Sequence, residues 1–130
     1  MSVANITYSG ILDSDSSMTV GLDDGITAAD CGKALAFNSA TSRFRLAKTG
    51  DILRGRLDVV EDRGNNGGLV GTMITRGGLT FLKDAGDTIL PGAGITCLDA
   101  NPGLVTTAAP AVGRLVTTVG TNYATVLFNV

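Results

Sequence analysis

The residues that first invite a chemical reading lie at 61–71, "EDRGNNGGLVG", where glycines crowd behind an arginine and the apolar run "LDVV". A phosphate loop of the GxxxxGK[ST] type needs a lysine and a hydroxyl after its final glycine, so that backbone N–H groups and an ammonium surround the phosphate. Here Gly67 and Gly68 are followed by Leu69 and Val70. A dinucleotide loop needs GxGxxG between a strand and a helix, whose N-terminal dipole faces the phosphate. Residues 64–71 read G-N-N-G-G-L-V-G, which breaks that spacing, and the residues after them are strand-like. Asn66-Gly67 is instead a favoured pair for the positive φ of a tight hairpin. The stretch is expected to connect two strands.

A second pattern lies in the acidic N-terminal segment. Asp13, Asp15, Ser17, Thr19, Gly21 and Asp24 fall on the six ligand positions of a twelve-residue calcium loop, and Val20 fits its apolar position. Met18, however, stands where the sharp turn needs glycine, and Asp24 replaces the long bidentate glutamate. We read the pattern as chance, and no metal or other cofactor is expected. The chain has no histidine, which removes the commonest general base at neutral pH and the commonest metal ligand. Cys31 and Cys97 form no CxxC and are expected to be free thiols. An enzyme would have to rely on carboxylates such as Asp23, Asp24, Asp58, Glu61 or Asp62, and nothing in the sequence sets a pair at catalytic separation. Catalysis is not expected.

Bulk properties narrow the partners. The chain has 130 residues, enough for one domain. A net charge of −2 gives no general attraction to nucleic acid or anionic membranes. Only 17% of residues are charged, below the usual quarter, which hints at surface buried against partners. The opening "MSVANITYSG" does not read as a signal peptide, and "LVTTVGTNYATVLFNV" is too polar and too short to span a bilayer. Neither nucleic acid nor membrane is expected as a partner, and the protein reads as soluble where it is made.

The elements that must position these residues are short. Residues 1–26 carry only acidic charges and read as an extended arm with one or two short strands, followed by a β-rich domain over 27–130. Thr27 with Asp30, closed by Gly32, resembles a capping box and allows one helical turn. Beyond it, runs such as "KALAF", "SRFRL", "ILRGRLDVV", "GLVGTMITR", "LTFL", "ITCL" and "YATVLFNV" alternate with turn clusters. Alternation in "ILRGRLDVV" sets Leu53, Gly55, Leu57 and Val59 on one face and Arg54, Arg56 and Asp58 on the other. The expected fold is all-β, a small β-sandwich or barrel-like domain. An internal repeat is also visible. "GKALAF…SRFRL…ILRGRLDVV…GGLVGTMI" runs parallel to "GAGITCLDANPGLVT…AVGRLVTTV…NYATVLF", matching Gly55-Arg56-Leu57 with Gly113-Arg114-Leu115. Two copies of one strand unit would make a pseudo-duplicated fold.

The pieces "ITAADCGKALAF", "GDILRGRLDVV", "LPGAGITCLDANPGLV", "AVGRLVTTV" and "ATVLFNV" come in an order that resembles the small head decoration, or capsid cement, proteins of tailed bacteriophages. The resemblance spans roughly residues 26–130 and lies in cadence rather than in a signature. It implies a non-enzymatic β protein on the outer surface of the expanded capsid, tying neighbouring major capsid proteins together. It also implies self-association, as a trimer or else a dimer. The expected contacts are Ile6, Tyr8, Ile11, Leu12, Met18 and Val20 of the arm, the arginine face Arg43, Arg45, Arg54 and Arg56, and the loop tip Asn65 and Asn66. A different class is also open: a non-catalytic β-sandwich module that binds carbohydrate or sits in a phage tail. The lack of tryptophan, with Tyr8 and Tyr123 as the only tyrosines, speaks against a sugar site.

Overall fold

A computed structural model of the chain describes residues 17–64, 68–92, 94–108 and 115–128. Among these, ten strands succeed one another: β1 Ser17–Gly21, β2 Ala34–Asn38, β3 Arg43–Leu46, β4 Gly55–Asp62, β5 Leu69–Ile74, β6 Gly77–Leu82, β7 Gly94–Cys97, β8 Val105–Ala108, β9 Leu115–Val119 and β10 Tyr123–Phe128. The one helical piece among them is a 3-10 turn, Ala28–Asp30. Its capping box forms as the sequence predicts. The Thr27 hydroxyl accepts from the Ala29 N–H at 3.3 Å, and the Asp30 carboxylate accepts from the Thr27 N–H at 3.0 Å. Gly32 ends the turn with φ of 97°, a value that suits glycine. The chain is all-β, and its ladders are antiparallel.

The first five strands make one sheet in the order β1-β5-β4-β2-β3. This sheet rolls until its two edges meet. Just past β1, Leu22 bridges Phe44 of β3 in parallel, and the Asp23 N–H donates to the Phe44 carbonyl at 2.8 Å. The contact is a single bridge rather than a ladder, so the roll is not a closed barrel. Inside it lie Val20, Leu22, Ile26, Leu35, Leu57 and Met73, with Phe44, Leu46, Val60 and Leu69 packed around them. Each fully buried leucine here contributes about 2 kcal/mol of apolar burial.

The last five strands repeat the plan. They form a three-stranded sheet, β6-β10-β9, and the hairpin β7-β8, with β7 lying beside β9. Beyond β6, Lys83 bridges Val105 of β8 in parallel, as Leu22 bridges Phe44. Gly32 donates its N–H to Leu57 at 2.7 Å, and Gly92 donates its N–H to Val116 at 2.8 Å. The pseudo-duplication legible in the sequence is therefore a repeat of topology. The Gly-Arg-Leu match is one residue out of step with it, because Leu57 stands opposite Met73 where Val116 stands opposite Val126.

Two expectations need correction. Of the segment 1–26, expected as an extended arm with one or two short strands, residues 17–26 belong to the first sheet and its core: Ser17–Gly21 pairs along β5, and Val20, Leu22 and Ile26 are buried. Strand alternation brings Val20 inward, and pairing satisfies its backbone. The second correction is in β4. The ladder with β5 slips between Leu57 and Val59, an extra residue that flips the alternation. Val59 is consequently 48% exposed, while Val60 packs on the core.

The units are joined edge to face. A second core unites the interior of the later unit with Ala34, Ala36, Ala47 and Leu53 of the earlier one. The Ala34 N–H donates to the Gly103 carbonyl at 2.9 Å, and the Gly103 N–H donates to Ala47 at 2.7 Å. A Cβ on Gly103 would stand 2.7 Å from the Lys33 Cβ, and φ there is 90°, so the close approach requires glycine. The Leu82 N–H at the edge of β6 donates to the Gly32 carbonyl at 2.9 Å.

Candidate functional site

The glycine-rich stretch connects β4 to β5, with Asp62 opposite Leu69. The Arg63 N–H donates to the Gly68 carbonyl at 2.8 Å, and the Gly68 N–H donates to Gly64 at 2.9 Å. The strand–loop–strand setting leaves no helix dipole for a phosphate. The expected apex, Asn65 and Asn66, lies outside the described residues, as do Ile6, Tyr8, Ile11 and Leu12. Of the calcium-loop positions, Asp13 and Asp15 lie outside the described residues, Ser17, Thr19 and Gly21 run along the extended β1, and the side chains of Ser17 and Thr19 point out of the roll. Among the described residues no three cysteines or carboxylates gather as a metal-holding group.

The arginines fall on one face of the first sheet. Arg45 stands opposite Ala36 and Arg56 opposite Ala34, the two alanines over which the second unit packs. The structure thus brings these side chains together but commits three of them to the fold. Arg43 donates through Nη1 to the carbonyls of Leu22 at 3.0 Å and Leu69 at 3.1 Å. Arg45 grips Asp51 with both arms of its fork, at 2.5 and 3.0 Å. Asp51 also accepts from the Lys48 N–H at 2.8 Å, which closes the 48–51 turn. The Arg45 guanidinium holds the Asp51 carboxyl below its ordinary range, against a burial that pushes it up. Arg56 reaches Asp58 at 3.3 Å on the bulge. Arg54 is exposed, and Met18 is exposed on β1 while Val20 on the same strand is not.

Other groups able to do chemistry are also spent on structure. Burial pushes Asp30 up, but hydrogen bonds from Lys33 and the Thr27 N–H outweigh it, so its carboxyl lies below the ordinary value. Asp23 accepts from Asn38 and from Thr41, each at 2.7 Å, and so ties the loop after β1 to the β2–β3 turn. This tie was invisible in sequence, because its partners are far apart along the chain. Lys83 is buried, and its ammonium donates to the carbonyls of Asp84 at 2.9 Å, Asp87 at 2.7 Å and Thr121 at 3.0 Å. Both cysteines are free thiols. Burial pushes Cys97 up to about 12, and burial together with Asp58 and Asp30 raises Cys31.

What the described surface does offer is two outer sheet faces without charge at their centres. On the first unit, Thr19 of β1 stands opposite Thr72 of β5, which stands opposite Val59 of β4. On the second, Thr80 stands opposite Thr125 with their hydroxyls 2.9 Å apart, and Thr125 stands opposite Thr118. Leu82, Tyr123 and Leu127 flank this row and are 36%, 44% and 45% exposed. Alternation in the flanking strands gave these faces away only in part, since the β4 bulge moves Val59 onto its face. No protein-family model matches the chain, and no curated protein and no solved structure is significantly similar to it.

Proposed function

We propose that this chain is a structural virion protein, a decoration or cement protein that binds the outer surface of an expanded phage head and ties major capsid protein subunits together. The reading rests on the ordered motifs that resemble that family. The observation that carries it furthest is the pair of threonine-centred sheet faces, one on each repeat unit; charge lies only at the margin of the first, where Glu61 stands opposite Val70 and Arg56 opposite Ile74. The centre of such a face can lie against a protein surface without stranding a charge, and its threonine hydroxyls can donate or accept there. Two faces on one body suit a part that bridges two neighbours. The tightly knit junction between units suits a part that carries load, because the two cannot slide without breaking the Ala34–Gly103–Ala47 hydrogen bonds. Many copies on one shell would add their individual affinities through avidity. In this reading the protein does no chemistry, and Arg54, exposed beside the junction, is a contact to the capsid.

The test is co-sedimentation of the purified protein with expanded heads built from the capsid protein encoded alongside it. The expected result is saturable binding that raises the temperature at which the heads open. Thr125→Lys on the outer face should cut binding about tenfold without unfolding the protein, since one desolvated charge costs more than about 1.4 kcal/mol. Wild-type protein that stays in the supernatant would overturn the reading.

A further inference from the structure

The repeat shows what a first strand looks like when it is covered. In the second unit, β6 is the first strand, and its edge is closed from outside by the Gly32 carbonyl, which accepts the Leu82 N–H at 2.9 Å. Leu79 on this strand is 4% exposed, within the core that includes Ala34 and Ala36. In the first unit, β1 takes the same place, and its registers with β5 set Met18 where Leu79 stands in β6. Met18 is 51% exposed. Gly21, the counterpart of Leu82, has no described backbone partner outside its own sheet.

The complementary piece is equally idle. Gly92 is the counterpart of Gly32: both have positive φ, at 90° and 97°, and both donate their N–H to the matching residue of the fourth strand of the unit. Gly32 sits against β6, whereas Gly92 is exposed, and Leu90 beside it is 66% exposed. Among the described residues, each chain therefore uses the junction once internally and leaves one half of it unmatched at each end.

We propose that a second copy of this chain docks head to tail, with the Leu90–Gly92 loop of one copy closing the β1 edge and covering Met18 of the next. The contact repeats the internal junction, so its backbone hydrogen bond runs from Gly21 to the Gly92 carbonyl. Such a heterologous contact joins unlike surfaces, and it makes a ring where the rotation closes. The proposal does not depend on the capsid reading, because it rests on the two unmatched halves of one junction.

The experiment is sedimentation velocity on full-length protein over a wide concentration range. Wild type is expected to associate, and Met18→Asp and Leu90→Asp are each expected to weaken association by about 30-fold, as charge at the centre of an interface does. Both residues are exposed, so the variants should melt as wild type does, which checks that the fold is intact. The decisive arm mixes the two variants. Each keeps the half that the other lacks, so the mixture should form a dimer and nothing larger. Wild type that stays monomeric throughout would overturn the proposal. Association lost in Met18→Asp but kept in Leu90→Asp would overturn it in favour of a symmetric β1–β1 contact.

Discussion

Unit one brings Arg43 across from β3 to the carbonyls of Leu22 and Leu69, whereas unit two sends Lys83 from the end of its own first strand to the carbonyls of Asp84, Asp87 and Thr121. The two places correspond. Leu22 and Lys83 are the bridge residues of the seam, and the residues before their bridge partners Phe44 and Val105 are Arg43 and Leu104. One unit thus carries leucine at the bridge and a cation on the facing strand, and the other carries the reverse. A roll whose edges meet at a single bridge leaves carbonyls that the ladder does not reach, and buried carbonyls require donors. The repeat preserves that requirement rather than the residue that meets it.

Breaking the comparison at Lys83 should have the largest effect. Lys83→Leu leaves three carbonyls in the seam without donors and is expected to cost about 3 kcal/mol in urea unfolding. Adding Leu104→Arg to that variant rebuilds the arrangement of unit one, and about half of the loss should return, which a double-mutant cycle reads directly. No recovery would mean that the two seams are not interchangeable.

The next test concerns how the rolls are filled. Gly71 and Ala124 occupy the same place, opposite Val60 and Val119. A Cβ on Gly71 would stand 2.6 Å from the Val59 carbonyl oxygen and 2.8 Å from a Leu22 methyl. Gly71→Ala should therefore cost about 2 kcal/mol by overpacking, while Ala124→Gly should cost about 1 kcal/mol through lost contact and added chain freedom. Equal costs would show that Leu22 does not fill the first roll more tightly than its counterpart fills the second.

A smaller effect belongs to the pair that only unit one has. Asp51 has its carboxyl held down by Arg45 in the folded chain. Its contribution is complete above the ordinary carboxylate range near about pH 4 and is lost as pH falls through the lower folded value. Asp51→Asn should remove about 1 kcal/mol at neutral pH and much less in strong acid, so the two stability curves converge on the acid side. The smallest effect is chemical. At mildly alkaline pH iodoacetamide should modify Cys31 well before Cys97, because Cys97 is buried and its thiol is pushed up to about 12. Mass spectrometry of the alkylated chain reads the order.

Much of this fold can be read from the chain where the signal is local. Thr27 and Asp30 stand three apart and cap the turn between them, and the alternation that leads into β4 holds from Leu53 to Leu57. The reading fails at Asp58 because a bulge is set by the partner strand and not by the strand that carries it. For residues 17–26 it finds a short strand but not its place, because the pairing that docks the strand comes from β5, far along the chain. That Arg43, Arg45 and Arg56 are hydrogen-bonded within the fold is hidden for the same reason. Alternation says which way Arg43 and Arg45 point, but not that the carbonyls of Leu22 and Leu69 or the Asp51 carboxylate await them. The repeat itself was legible, and what it meant was not, since topology and not identity carries it.

The hairpin that ends each unit differs in one further way. β9 returns into β10 through a tight turn in which the Gly120 N–H donates to the Tyr123 carbonyl at 2.8 Å, whereas β4 reaches β5 through the longer connection that starts and ends at Arg63 and Gly68. The short version proves that this kind of hairpin closes without the extra chain. In the long version the bond from Gly68 to Gly64 pins the two ends of the connection, so strand register is fixed before the tip begins. Added length there costs little loop entropy. A peptide inserted between Gly64 and Gly68 is accordingly expected to leave the strand register, and with it the fold, unchanged.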